Sequence, residues 1–149
     1  MKKQLIVTLA LLMCISSFAQ EVNQQDIQRF SSYYSSGIEY LKNQQYSSAI
    51  IEFRKVLRFS PYDSMVQNAL ANAYMARGQY YRQTTKEIKK AIVDYKSAYF
   101  YSALWSKANS DNALVQMANS CKKEISELEK RLEQIQDIDS RLLSAKTLR

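Results

Sequence analysis

Histidine is absent from this chain of 149 residues. That removes the commonest general base near neutral pH and the usual zinc ligand. The cysteines are Cys14 and Cys121, and a thiol nucleophile needs a neighbouring base that the composition does not supply. The glycines, Gly37 and Gly78, both stand in helical contexts, so no Gly-rich loop of recognised spacing is available to cradle a phosphate. Carboxylates fall mostly beside Lys and Arg at helix spacing, as in Glu124, Glu127, Glu129, Lys130 and Arg131, the pattern of a solvated helix face. The sequence therefore offers no argument for an enzyme, a metal site or a cofactor, and the reading it favours is a binding protein.

Three basic clusters, Arg54-Lys55-Arg58, Lys86-Lys89-Lys90 and Lys122-Lys123, are interleaved with tyrosines. Such clusters can serve a nucleic-acid surface. The balance argues against nucleic acid: without Lys2 and Lys3, 19 basic residues stand against 14 acidic ones, a modest +5. Anionic lipid headgroups or polysaccharide suit that charge better, and a mixed solvated surface suits it best.

The first residues differ in kind from the rest. Lys2 and Lys3 precede an apolar run from Leu5 to Met13, broken only by Thr8, and Ser17-Phe18-Ala19 offers small residues before Gln20. This order describes a secretory signal over 1–19, with an apolar run too short for a stable membrane span. The expectation is an exported protein, periplasmic or secreted, whose mature chain of 20–149 forms one domain without a transmembrane segment. Leu11-Leu12-Met13-Cys14 resembles a lipoprotein signal, so a lipid anchor on Cys14 is the alternative. Cleavage after Ala19 leaves one thiol, Cys121, which cannot close an intramolecular disulfide and is expected as a small buried hydrophobe.

Two glycines and one proline leave little material for tight turns, while Ala, Gln, Lys, Glu and Leu are frequent, so the elements are expected to be helices on short connections. Sliding the chain on itself by 34 residues aligns Gly37 with Ala71, Tyr40 with Tyr74, Gln45 with Gln79 and Tyr46 with Tyr80. An offset of 42 then aligns Ala49 with Ala91, Ile50 with Ile92, Phe53 with Tyr95 and Val56 with Ala98. The second copy thus reads as the first with eight residues inserted around 82–89. Phe30 to Asp63 resembles a tetratricopeptide repeat: Gly37 and Tyr40 in the first helix, Tyr46, Ala49, Phe53 and Val56 in the second, and Pro61 closing it. Gly37 and Ala49 are small where two antiparallel helices meet, Tyr40 and Phe53 fill the flanks, and Pro61 cannot continue a helix. The second copy keeps Leu70, Ala71 and Tyr74, and a third start at Asp111 reproduces that order with Met117, Ala118 and Cys121.

The resemblance implies an all-α fold of antiparallel helix pairs, stacked as a short right-handed solenoid of about two and a half repeats (30–63, 64–106 and a half repeat from 111). The expected helices run over 24–43, 46–59, 63–77 with Gly78 as the stop, 81–106, and 112–144. The last carries an apolar stripe of Ile125, Leu128, Leu132, Ile135, Ile138 and Leu142. It reads as a cap over the open end of the stack, or as an arm that pairs with itself through Leu128 and Leu132. In the family the first helix of each pair lines a groove that takes an extended peptide or a partner helix. Alignment places Tyr34, Ile38, Leu41 and Lys42 on its first wall, Asn68, Asn72 and Met75 on the second, and Asn119 and Lys123 on a third. Asparagine amides can bond a peptide backbone without reading its sequence, and lysines favour an acidic or C-terminal carboxylate ligand. Of the eleven tyrosines, Tyr40, Tyr46, Tyr74, Tyr80 and Tyr95 are expected in the core. Tyr33, Tyr34, Tyr62, Tyr81, Tyr99 and Tyr101, with Trp105, are left as contact area for a partner.

Overall fold

The computed structural model describes residues 24–83, 87–109 and 112–147, the side chains of 105–109 and 146–147 excepted. The signal over 1–19, Cys14, Lys86, the turn residues Ser110 and Asp111, and the Trp105 side chain lie outside the described residues. Among those described the chain is helical throughout: α1 over 24–42, α2 Tyr46–Phe59, α3 Ser64–Tyr81, α4 Ile88–Asn109 and α5 Asn112–Thr147. Consecutive helices pack on one another, α2 on α3, α3 on α4 and α4 on α5. No helix among the described residues is long and apolar enough to cross a membrane.

Each helix buries the row its sequence spacing selects. In α2 the residues Ala49, Ile50, Phe53 and Val56 follow steps of three and four and are all buried. With Val66, Ala69, Leu70 and Ala73 of α3 they form one core cluster, against which Phe30, Tyr33, Tyr34, Ile38 and Leu41 of α1 pack. A second cluster joins Ile88, Ala91, Ile92, Tyr95 and Ala98 of α4 to Cys121 and Leu128 of α5.

The connections are short because their caps are built locally. α1 ends in a Schellman motif, with Gln45 N–H donating to the Tyr40 carbonyl and Gln44 N–H to that of Leu41. Gln44 takes φ 58°, a left-handed conformation usually left to glycine or asparagine. α2 stops before Ser60-Pro61, and Asp63 caps α3 by accepting from Val66 N–H at 3.0 Å. Gln67 Nε2, itself buried, donates to the Pro61 carbonyl at 2.8 Å and ties the turn to α3.

Four sequence expectations change. Gly78 is not a helix stop: it lies inside α3, is buried, and has no positive φ. It is bare because the Tyr95 ring passes over it, 3.3 Å from where a Cβ would stand. Gly37 is likewise bare beneath the ring of Phe53, where a Cβ would stand 2.5 Å from Cε1. The contact counterpart of Gly37 is thus Gly78 rather than Ala71, at nearly the offset that relates Phe53 to Tyr95. The helix expected over 81–106 begins at Ile88 instead. Tyr40 and Tyr80 are not core residues, being 36% and 62% exposed. The inward row of α1 runs through Phe30, Tyr34, Ile38 and Leu41, which turns Tyr40 to the flank; in α3 the row through Ala73, Tyr74 and Tyr81 does the same to Tyr80. Tyr33, Tyr34 and Tyr101, expected at the surface, are half-buried against the first cluster, and Tyr101 stacks on Tyr74 with centroids 6.0 Å apart.

α5 is about 54 Å long against about 33 Å for α4, and its two ends behave differently. Leu128 is buried, and Ile125, Leu132 and Ile135 pack on the second cluster. Leu128 and Leu132 are therefore engaged within the chain and do not form a free pairing seam. Beyond them Ile138, Leu142 and Leu143 are more than half exposed.

Candidate functional site

α1 and α3 lie side by side with an open groove between them, about 550 Å³ in volume. Its walls are Tyr34, Ile38 and Leu41 from α1 and Met65, Asn68, Ala69, Asn72, Met75 and Ala76 from α3, and Tyr46 of α2 adds to the lining. Residues 34, 38 and 41, and residues 65, 68, 72 and 75, are each one helical row. A row of this kind is fixed by the opposite row of the same helix, which the core holds: Leu70 and Ala73 are fully buried in α3.

Asn72 Nδ2 donates to the Asn68 Oδ1 at 2.9 Å and to the Asn68 carbonyl at 3.0 Å. The two carboxamides are thereby held in a fixed relation. The Asn68 amide N–H groups and the Asn72 amide oxygen have no partner among the described residues, which leaves donors and an acceptor open on the groove wall. Tyr34 belongs to both groove and core. Its ring meets Phe53 at 5.7 Å and stacks with Phe30 at 6.2 Å, and burial, reinforced by the charge of Asp63, raises its pKa above the usual phenol value.

Of the residues expected on the groove, Tyr34, Ile38, Leu41, Asn68, Asn72 and Met75 come together. Lys42, at the end of α1, and Asn119 and Lys123, on α5, are exposed and are not among its lining residues. The alignment that gave a third wall assumed a third pair at the same spacing, whereas α5 packs on α4. Tyr46, Met65, Ala69 and Ala76 were missed as lining residues. Met65 was legible, since it sits three residues before Asn68 on the same row. Of the packing set, Gly37, Ala49, Phe53 and Ala71 are buried, Tyr74 is half-buried, Pro61 is exposed in the turn and Tyr40 is exposed.

Behind the groove, α3 is locked to its neighbours by a side chain that sequence spacing did not single out. Arg77 binds Asp94 of α4 in a bidentate pair, Nε to Oδ2 and Nη2 to Oδ1, both at 2.8 Å, and its Nη1 donates to Ser47 Oγ of α2 at 3.0 Å. The Tyr74 and Tyr81 rings stand 5.6 and 5.9 Å from the guanidinium carbon. The Asp94 side chain is 3% exposed, and its bond raises the Arg77 pKa further above the usual guanidinium value. Through Arg77 these bonds tie α3 to both α2 and α4. Among the described residues no cluster of histidine, cysteine and carboxylate groups is arranged to hold a metal.

Comparison of the chain with protein-family models, with curated proteins and with solved structures returns no match.

Proposed function

We propose that this protein is an interaction module of tetratricopeptide type that holds an extended peptide or a partner helix in the groove between α1 and α3, without turning anything over. The observation that carries the reading is the groove itself, where an apolar row from each helix flanks a pair of asparagine amides held in register. Apolar contact with Ile38, Leu41, Met65 and Met75 would supply affinity, and the amides would bond a backbone of any sequence. The solenoid arrangement and its right-handed stacking belong to the same proposal, as do export and work in the cell envelope as an adaptor.

The test is capture of cross-linked partners by wild-type protein and by Asn68→Ala/Asn72→Ala, both changes falling on the open face of α3. A discrete partner recovered by the first and lost by the second, at unchanged helical content, is the expected result. Equal capture by both would remove the groove from consideration. The same experiment recovers the N-terminus of the chain by mass spectrometry, where Gln20 would establish cleavage of the signal and an acylated Cys14 the lipid anchor.

A second reading is favoured by one observation, the exposed row of Ile138 and Leu142 toward the end of α5. In it the protein is structural and pairs with itself through this end. Light scattering at high concentration should then report a dimer that Leu142→Asp abolishes, and a monomeric wild type would dispose of it.

A further inference from the structure

The charge of the chain is not spread evenly. α2 carries Arg54, Lys55 and Arg58 against Glu52, and α4 carries Lys89, Lys90, Lys96 and Lys107 against Asp94, whereas acids and bases balance in α1 and in α5. Neither acid of α2 and α4 is free: Glu52 is held by Lys55 at 2.6 Å, and Asp94 is buried beneath Arg77. Arg54, Arg58 and Lys89 make no ion pair with any described residue. The two helices share one surface, because Arg54 of α2 and Val93, Lys96, Ser97 and Phe100 of α4 line a common hollow over Tyr74. A second hollow, between Leu57, Pro61 and Tyr62 on one side and Phe100 and Leu104 on the other, continues it.

This surface also carries apolar side chains with no cover. Ile51 is 56% exposed, Val93 62%, Phe100 55% and Tyr62, at the tip of the α2–α3 turn, 86%. Apolar and cationic residues share one face of each helix, Ile51, Arg54 and Arg58 in α2 and Lys89, Val93, Lys96, Phe100 and Leu104 in α4, with Lys96 also paired to Glu129 of α5 at 2.8 Å. We propose that the α2/α4 face docks the protein, peripherally, on an anionic lipid surface. The cations meet headgroup phosphates while Tyr62, Phe100, Leu104 and Val93 enter the boundary of the acyl region. An acidic protein partner fits the charge equally. It fits the rest less well, because the exposed side chains are scattered apolar tips over two helices and a turn, with no fixed set of donors and acceptors such as the groove offers. The face is separate from that groove, so a docked protein still presents α1 and α3 to a partner.

The experiment is partition of the full chain onto phosphatidylglycerol vesicles and onto phosphatidylcholine vesicles. Wild type is compared with Arg54→Glu/Arg58→Glu, with Phe100→Ser/Leu104→Ser, and with Lys122→Glu/Lys123→Glu on α5. All chains share the N-terminal apolar segment, so only differences between them report on the face. The first variant should bind phosphatidylglycerol vesicles at least about tenfold more weakly, and the loss should shrink as salt screens it. The Phe100/Leu104 variant should lose the part of binding that salt does not remove, and the α5 variant should change little. Circular dichroism establishes that each variant folds. Equal partition of wild type and Arg54→Glu/Arg58→Glu overturns the proposal, as does an equal loss in the α5 variant, which would reduce the effect to net charge. Retention of a polyglutamate peptide through Arg54 and Arg58, without any vesicle difference, would give the face to an acidic protein instead.

Discussion

Two helix crossings of this protein, α1 with α2 and α3 with α4, use one device with different tolerances. In each, a glycine lies beneath an aromatic ring of the next helix, Gly37 under Phe53 and Gly78 under Tyr95. A Cβ at Gly37 would stand 2.5, 2.7 and 2.9 Å from three ring carbons of a side chain that is wholly buried. At Gly78 the nearest ring carbons are 3.3 Å away. The first crossing is therefore closed to any side chain, while the second is merely tight. The difference teaches that the first pair gains its fixed geometry from steric exclusion. The second relies on something else, and the Arg77–Asp94 pair beside it is the evident candidate.

The largest effect should come from removing that support. Asp94→Ala leaves Arg77, only partly exposed, without its bidentate partner, and breaking such a pair costs about 3 kcal/mol or more. Chemical denaturation should show the loss, and Arg77→Ala/Asp94→Ala should cost less than Asp94→Ala and Arg77→Ala taken together. If the single change at Asp94 costs no more than about 0.5 kcal/mol, the second crossing does not depend on the pair.

Next comes the contrast between the glycines themselves. Gly37→Ala must displace Phe53 inside a packed core, and overpacking of this kind costs about 1–3 kcal/mol, against which helix propensity returns about 1 kcal/mol. It should destabilise, and Phe53→Leu in the same chain should recover part of the loss by vacating the ring positions. Gly78→Ala requires the Tyr95 ring to give by only a few tenths of an ångström, so propensity should offset most of its cost. Equal losses at both sites would show that the tolerance inferred from the ring distances is not real.

These crossings also mark the limit of what was legible in the sequence. What rests on one helix alone was legible: the internal repeat picked out Ala49, Ile50, Phe53 and Val56, which α2 buries, and the family resemblance picked out Tyr34, Ile38, Asn68, Asn72 and Met75, which line one hollow between α1 and α3. What depended on how two helices meet was not. Gly78 sits three residues from the end of α3 and reads locally as a stop; only the ring of Tyr95, seventeen residues on, shows why it is bare. Arg77 and Asp94 have the same separation, and no local pattern pairs them. Tyr40 was assigned to the core by alignment, although its own helix turns it outward. Asn119 and Lys123 were placed on the groove by extending a spacing that α5 does not follow.

A smaller effect isolates the first pair from the second at its turn. Gln44 holds φ 58° at the end of α1, where a side chain costs about 1 kcal/mol relative to glycine. Gln44→Gly should stabilise the first pair by roughly that amount, visible as slower hydrogen exchange in α1 and α2, with α4 and α5 unchanged. Slowing spread over all five helices would show that the two pairs unfold as one.

The last effect is centred on the second cluster and is absent at neutral pH, appearing only at alkaline pH. Cys121 is fully buried between α4 and α5, and burial, reinforced by the charge of Glu124, pushes its thiol from 9.0 up to about 11. Because the folded value lies above the unfolded one, the native state binds the proton more tightly. The contribution is complete below pH 9 and is lost as pH rises from there toward 11. Burial raises the phenols of Tyr34, Tyr95 and Tyr101 in the same direction, so their losses follow at higher pH. Stability measured by denaturant should therefore be flat with respect to these groups up to about pH 9 and fall beyond it. Cys121→Ala should delay the onset of that fall, although it lowers stability at neutral pH by leaving a small void. The same thiol should resist a water-soluble disulfide reagent at pH 8 until denaturant is added. Prompt reaction in the native protein would mean that α5 lifts from α4 readily, and that the α4–α5 contact is a hinge rather than a core.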